Sequence, residues 1–95
     1  MELQLKDAAV VVVGGASGIG KACVAAFVRE GARVALWDIS PDVESLAGAE
    51  PVEGWTVDIA DESAVRSAVT ATESRIGPIQ HLVQAAAVGS GKLGF

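Results

Sequence analysis

The sequence is poor in aromatic and redox-active residues. It contains no tyrosine, one cysteine, one histidine, two tryptophans and two phenylalanines. A single cysteine excludes an internal disulfide and fits a reducing cytoplasm. No apolar run approaches the roughly 20 residues that span a bilayer. The start of the chain, from Met1 to Asp7, mixes charged and apolar residues, unlike a signal peptide. These features predict a soluble cytoplasmic protein.

Positive charge is also scarce. Seven lysines and arginines stand against 12 acidic residues, so the net charge is −5. Such a surface repels phosphate backbones and anionic lipid, which argues against nucleic acid or a membrane as partner. The apolar fraction of 51% is ample for a core and excludes a disordered acidic chain. A length of 95 residues predicts one small domain over residues 1–95.

Apolar runs and helix-spaced apolar residues alternate along the chain. Ala8 to Val13 reads as a strand buried on both faces. The next segment predicts a helix that ends at Gly31, and its apolar face is formed by Ile19, Ala22, Cys23, Ala26 and Phe27. A second strand is predicted from Arg33 to Trp37. A short helix from Ser40-Pro41 to about Ala47 is predicted to follow.

The second half of the chain continues this alternation. A third strand is predicted near Gly54 to Val57, and Asp61 is predicted to cap a helix that runs to about Arg75. The buried face of that helix is predicted to contain Val65, Ala68, Val69, Thr72 and Ile76. Gly77-Pro78 ends it, and a last strand begins at Ile79 or His81 and ends at Gln84. The order β-α-β-α-β-α-β predicts an α/β fold, a Rossmann-like doubly wound parallel sheet in the order 3-2-1-4 with helices on both faces.

A glycine-rich loop joins the first strand to the first helix. Gly14 allows a tight turn, Gly18 allows backbone N–H groups to approach a pyrophosphate, and Gly20 allows close packing of helix on sheet. The helix directs its positive end and its unpaired N–H groups at the anion. Without further support, a plain glycine turn would explain the loop equally well.

Asp38 provides that support. It ends the second strand, close to the spacing of about 20 residues at which an acid accepts hydrogen bonds from an adenosine ribose. The simpler alternative is that Asp38 only caps the following helix. A carboxylate there repels a 2′-phosphate, and neither Ile39 nor Ser17 supplies a cation, so NAD is favoured over NADP.

The spacing Gly14-x-x-x-Gly18-Ile19-Gly20 resembles that of the short-chain dehydrogenase/reductase family, and the resemblance extends along nearly the whole chain. It implies that Ser17 contacts the ribose and that the N–H of Ile19 binds the pyrophosphate. It further implies that Asp58 meets the adenine amino group and Ile59 offers its backbone N–H to the ring. The simpler alternative is that Asp58 is a turn or cap residue. In this reading, Ile39 lies beside the adenosine site.

Two segments depart from the family pattern. Val13 stands where the family usually has threonine, and Gln84-Ala85-Ala86-Ala87 stands where it has Asn-Asn-Ala-Gly. Backbone contacts from Ala85, Ala86 and Ala87 to the cofactor need only main-chain atoms and could survive. The side-chain bonds that tie the central strands would be lost.

The family transfers a hydride between nicotinamide and an alcohol or carbonyl. It uses a serine and a tyrosine with a lysine four residues later, in a part of the chain beyond this one. We therefore expect this chain to be the truncated N-terminal dinucleotide-binding part of a single Rossmann domain, with the catalytic part absent. No catalytic residue is predicted here, no metal site is predicted, and the longer parent protein is expected to form a homo-oligomer.

Other residues and functions receive simpler interpretations. His81 is expected to be structural or exposed, Cys23 and the tryptophans to pack, and Asp61 with Glu62 to begin a helix rather than bind a metal. Two other functions stay open. One is a non-catalytic dinucleotide-binding or sensor module; the other is an S-adenosylmethionine-dependent transferase, whose usual Gly-x-Gly-x-Gly loop this chain does not match.

Overall fold

The computed structural model describes residues 5–14, 18–41, 43 and 52–85. Four strands and two helices occur in these ranges, in the order β1 (Ala9–Val13), α1 (Gly18–Arg29), β2 (Arg33–Asp38), β3 (Val52–Thr56), α2 (Glu62–Ile76) and β4 (His81–Gln84). Within the described ranges, no helix is both long enough and apolar enough to cross a membrane.

All four strands form one parallel sheet in the order β3-β2-β1-β4, which confirms the predicted order. β1 is central and fully buried, as its run of four valines predicts. At the carboxyl end of the sheet, Val13 pairs with Trp37 on one side and Gln84 on the other. Trp37 in turn pairs with Trp55 of β3.

The sheet divides two apolar cores because successive side chains of a strand point to opposite faces. On one face, Val10, Val12, Val34 and Leu36 pack with α1 and with the buried Val43. On the other face, α2 covers a second cluster that includes Val11, Val13, Ala35, Trp37 and Val57. The predicted arrangement of helices on both faces is therefore confirmed.

The predicted core face of α1 is wrong at its first turn. Ile19 is 54% exposed and Ala22 is exposed, whereas Gly20 is buried. The residues that pack against the core are Cys23, Val24, Phe27 and Val28. Gly20 lies on the buried side of the helix, and Ile19, 100° away around the helix axis, then points outward.

Each helix has the capping residue that the sequence predicts, Gly31 after α1 and Asp61 before α2. Gly31 has φ +87°, and the N–H groups of Gly31 and Ala32 donate to the carbonyls of Val28 and Phe27, which is the Schellman arrangement. At the start of α2, the Asp61 side chain accepts a hydrogen bond from the N–H of Ala64, confirming the predicted N-cap. The predicted buried face of α2 is also confirmed, with Ala68, Thr72 and Ile76 buried and Val65 and Val69 partly buried.

The third strand differs from its predicted bounds, and one predicted helix is mostly not described by the structure. β3 begins at Val52, earlier than the predicted Gly54, and ends at Thr56. Its half-buried pattern explains the missed start, because a strand paired on one side only carries less continuous apolar sequence. The predicted short helix from Ser40 to Ala47 lies mostly outside the described residues.

Candidate functional site

The carboxyl ends of the four strands are held in line by backbone hydrogen bonds just beyond the strands. The N–H of Ala85 donates to the carbonyl of Val13 over 2.8 Å, and the N–H of Gly14 donates to Trp37 over 2.6 Å. The N–H of Val57 donates to the carbonyl of Asp38 over 2.8 Å. These bonds fix where the chain leaves the sheet, and ligands of open α/β sheets bind outside this edge.

A cleft of about 160 Å³ lies at this edge. It is lined by Val13, Gly14, Asp38, Ile39, Val57, Asp58 and Ile59. Five of the predicted site residues are therefore brought together, although they come from three separate points in the sequence. Two carboxylates and four aliphatic side chains form this lining, together with one glycine.

Asp38 and Asp58 occupy equivalent places after neighbouring strands. The Oδ1 atom of Asp38 accepts from the N–H of Ser40 at 3.0 Å, and that of Asp58 accepts from the N–H of Ala60 at 2.9 Å. Each aspartate thus fixes the turn that follows its own strand. The capping role considered for Asp38 is present as such a turn, and it coexists with a position on the cleft wall. Ile39 and Ile59, the next residues, are 67% and 45% exposed.

Three further predicted site residues, Gly18, Ile19 and Gly20, lie at the start of α1, and Gly14 lies between β1 and this helix. Gly14 turns off β1 with φ +87°, a conformation that L side chains rarely adopt. A Cβ built on Gly18 would meet no atom within 4 Å. The packing of the described chain therefore does not require glycine at position 18. Gly20 is the buried residue of α1 and allows the helix to approach the sheet, while Ile19 between them is exposed.

Ala85 is buried directly after β4, and its N–H group is used to bind Val13. Ser17, Ala86 and Ala87, the remaining predicted site residues, lie outside the described residues.

Sequence reasoning did not include Val13 and Val57 in the site. Each is the last apolar residue before a predicted site residue, Gly14 or Asp58. Their positions at the strand ends are the signal that could have placed them on the cleft wall.

The residues given simpler interpretations are located as follows. His81 is exposed at the first position of β4, and Cys23 is half-buried in α1 against the core. Trp37 is buried in the core rather than at a sheet edge, whereas Trp55 lies half-buried in β3. Over the ranges that the structure describes, no group of three or more histidine, cysteine, aspartate or glutamate residues is arranged to hold a metal ion.

Several curated dehydrogenases are similar to this chain in sequence. The chain is 42% identical over 91 residues to the probable galactose dehydrogenase GalD of Rhizobium meliloti, an alignment that covers 87% of this chain and 35% of that protein. It is 34% identical over 80 residues to 2-dehydro-3-deoxy-L-rhamnonate dehydrogenase (NAD(+)) of a Sphingomonas species, covering 82% of this chain and 32% of that protein. The chain thus spans about a third of the length of these curated relatives.

A solved structure is also similar to this chain. The 3-ketoacyl-(acyl-carrier-protein) reductase of Brucella melitensis, complexed with NADH, superposes with a TM-score of 0.79 at 28% sequence identity. The match covers 83% of this chain and 34% of that one. The sequence model of the short chain dehydrogenase family matches residues 8–94. With the sheet order, the glycine loop and the cleft at the strand ends, these matches establish that the chain belongs to the short chain dehydrogenase family.

Proposed function

We propose that this chain binds NAD(H) at the carboxyl edge of its sheet and serves as the cofactor-binding part of an oxidoreductase. That oxidoreductase transfers a hydride between nicotinamide and a small alcohol or carbonyl substrate. The observation that carries the proposal is the convergence of Gly14, Asp38 and Asp58 on one cleft. In the sequence these residues belong to three separate segments, and a bound dinucleotide would use all three residue types at one edge.

The residues of the cleft fit the adenosine half of such a cofactor. Asp38 would accept hydrogen bonds from the ribose hydroxyls, and Asp58 would accept from the adenine amino group. The aliphatic side chains of Ile39 and Ile59 would cover the ring, and the backbone N–H of Ile59 would be offered to it. Their large exposed area in the structure, 67% and 45%, is apolar surface that a bound ring would remove from water.

The glycine loop fits the pyrophosphate. The open space above Gly18 is the second supporting observation, because a Cβ there would stand where a ligand can approach the backbone. Ser17, Gly18, Ile19 and Gly20 would surround the phosphates at the start of α1, where helix N–H groups and the helix dipole favour an anion. Ala85, Ala86 and Ala87 would contact the cofactor through main-chain atoms.

The charge of the cleft favours NAD over NADP. Among the described residues that line the cleft there are two carboxylates and neither lysine nor arginine. A 2′-phosphate on the ribose would face the Asp38 carboxylate without a compensating cation. The rhamnonate relative, named as an NAD(+) enzyme, and the NADH complex of the reductase support the same preference.

NAD supplies the hydride acceptor of the reaction when it is bound. The part of the reaction that these residues perform is to bind and orient it. We propose that the proton-transferring residues, a serine and a tyrosine with a lysine four residues later, belong to a longer parent protein that forms a homo-oligomer. Sequencing the source gene past the codon for Phe95 tests this, and an open frame that reads into Tyr-x-x-x-Lys is the expected result.

Isothermal titration calorimetry of the full chain tests the binding proposal. Calorimetry detects binding whichever half of the cofactor contacts the protein. We expect NADH to bind and NADPH to bind at least tenfold more weakly, a difference of about 1.4 kcal/mol or more. Equal affinities would contradict the preference assigned to Asp38. No binding of either nucleotide up to millimolar concentration would contradict the whole proposal.

A second function, a non-catalytic dinucleotide-binding or sensor module, is favoured by one segment. Gln84 ends β4 beside Val13 at the position where the family's catalytic members usually have asparagine. A stop codon directly after Phe95, combined with NADH binding, would support this module instead of the enzyme.

A further inference from the structure

A buried hydrogen bond joins Trp37, the residue before Asp38 of the cleft, to helix α2. The indole Nε1–H of Trp37 donates to Oγ1 of Thr72 over 3.0 Å. Trp37 is 2% exposed and Thr72 is fully buried. Within the described ranges Thr72 is the one polar residue recorded as buried, and no buried side-chain nitrogen or oxygen lacks a hydrogen-bond partner.

The backbone of Trp37 also takes part in the hydrogen bonds that position the residues of the cleft. Its carbonyl accepts from the N–H of Gly14 at 2.6 Å, and the next carbonyl, that of Asp38, accepts from the N–H of Val57 at 2.8 Å. Two successive peptide groups, Trp37–Asp38 and Asp38–Ile39, therefore bind the ends of the strands on either side of β2. A displacement of the Trp37 backbone would move Gly14 and Asp38 relative to each other, and with them the two points that a dinucleotide spans.

Helix formation alone does not explain threonine at position 72. Threonine is a β-branched residue with low helix propensity, and an apolar residue of the same size would fill this position. The side chain lies in the middle of a helix whose other buried residues, Ala68 and Ile76, are apolar. What distinguishes Thr72 is its hydroxyl, and the atom that contacts the hydroxyl is the indole nitrogen of Trp37.

We propose that Thr72 is a positioning residue for cofactor binding: by holding the Trp37 indole from α2, it fixes the spacing of Gly14 and Asp38 at the cleft. Thr72 touches no bound nucleotide itself and acts through Trp37. The inference rests on the proposed binding of NADH.

Two substitutions at one position separate the hydroxyl from the packing. Thr72→Val keeps the shape of the side chain and removes the hydroxyl, whereas Thr72→Ser keeps the hydroxyl and removes a methyl. Ile76→Val, one turn later in α2, is the matched control. Ile76 lies at the other end of the strands, since its carbonyl accepts from the Arg33 side chain at the start of β2.

The dissociation constant for NADH, measured by calorimetry on each full-length variant, is the first readout. We expect Thr72→Val to weaken binding about five- to tenfold, and both Thr72→Ser and Ile76→Val to stay within twofold of the wild type. The second readout is the pair of indole N–H signals in a ¹H–¹⁵N spectrum, one for each of the two tryptophans. The Trp37 signal should lose its protection from hydrogen exchange in Thr72→Val only.

The possible failures are distinguishable. A wild-type chain that binds no NADH overturns the proposed function, and this inference with it. A wild type that binds, with a Thr72→Val variant that binds equally well after losing Trp37 protection, overturns only the positioning role. Equal weakening by Ile76→Val would also overturn it, because the effect would then be one of general destabilisation. Should Thr72→Val fail to fold, Trp37→Phe removes the same bond from the other side, and an unchanged affinity there is equally decisive.

Discussion

Replacement of Asp38 by asparagine separates the role of this carboxylate in the turn after β2 from its proposed role in cofactor choice. Its Oδ1 atom accepts a hydrogen bond from the N–H of Ser40 at 3.0 Å, which fixes the turn after β2. An asparagine amide oxygen can accept the same bond, so the turn should survive. The negative charge at the cleft is lost. Asp38→Asn therefore tests the charge with little change to the backbone.

The magnitude follows from the position of the side chain. A hydrogen bond to a charged group contributes about 1.5–3 kcal/mol, so the loss of the carboxylate should weaken NADH binding roughly 10- to 100-fold. For NADPH the repulsion of a 2′-phosphate disappears. Two unit charges about 4 Å apart interact by about 1 kcal/mol in water and about 4 kcal/mol at an effective dielectric constant of 20. Because Asp38 is half-buried, its repulsion lies between these values.

The assay is the ratio of the NADPH and NADH dissociation constants, measured by calorimetry in the same buffer. Taking the lower end of both effects, about 2.5 kcal/mol, Asp38→Asn should reduce this ratio by roughly 60-fold. Asp61→Asn is the control, since it removes the same charge, and asparagine also caps a helix such as α2. A ratio that stays within twofold of the wild type in a folded Asp38→Asn chain would refute the role of Asp38 in cofactor choice.

Three further substitutions test the account of the fold by chemical denaturation. Gly31→Ala should lower the free energy of unfolding by about 1 kcal/mol and the melting temperature by roughly 4–8 °C, because alanine is strained at φ +87° while its Cβ meets Lys6 only at an ordinary 3.5 Å; an unchanged midpoint would contradict the Schellman assignment. Val12→Ala should cost about 2–3 kcal/mol through lost burial and a cavity in the central strand, and a loss below 1 kcal/mol would show that β1 is not the core. Arg66→Ala should change stability by less than about 0.5 kcal/mol, since its ion pair with Glu62 is exposed on both sides, and a larger loss would contradict that assignment.

Much of the fold could be predicted because strands and helices of this chain differ sharply in apolar period. β1 is an unbroken valine run with buried neighbours, and α2 has its apolar residues at helical spacing between a clear cap and a Gly-Pro stop. The sheet order followed from the alternation of strands and helices, from right-handed crossovers and from the strand order of Rossmann-like folds. β3 was harder, because it pairs on one side in the described chain and mixes Glu53 and Gly54 into its sequence.

The first turn of α1 shows why the spacing of apolar residues alone does not predict which residues of a helix are buried. Ile19 and Gly20 are adjacent and cannot both face the sheet, and hydrophobicity selects Ile19 while close packing selects Gly20. The structure buries Gly20, where the absence of a side chain permits close approach to the sheet, and exposes Ile19.

The candidate site was predictable at the two aspartates and the isoleucines that follow them, but not at Val13 and Val57. Asp38 and Asp58 stand out at strand ends, whereas Val13 and Val57 resemble any core valine until the register places them at the cleft. The contact between Trp37 and Thr72, 35 residues apart in sequence, depends on the side-chain packing of α2 on the sheet and leaves no local signal.

The most direct test of the central claim is a map of where NADH binds. A ¹H–¹⁵N spectrum of the full chain, recorded during titration with NADH, reports on each backbone amide. We predict that the largest shifts occur at Gly14, Asp38, Ile39, Asp58 and Ile59, with little change along the outer side of α2. Shifts confined to other surfaces, or a spectrum that NADH leaves unchanged, would contradict the assignment of the cleft as a dinucleotide site.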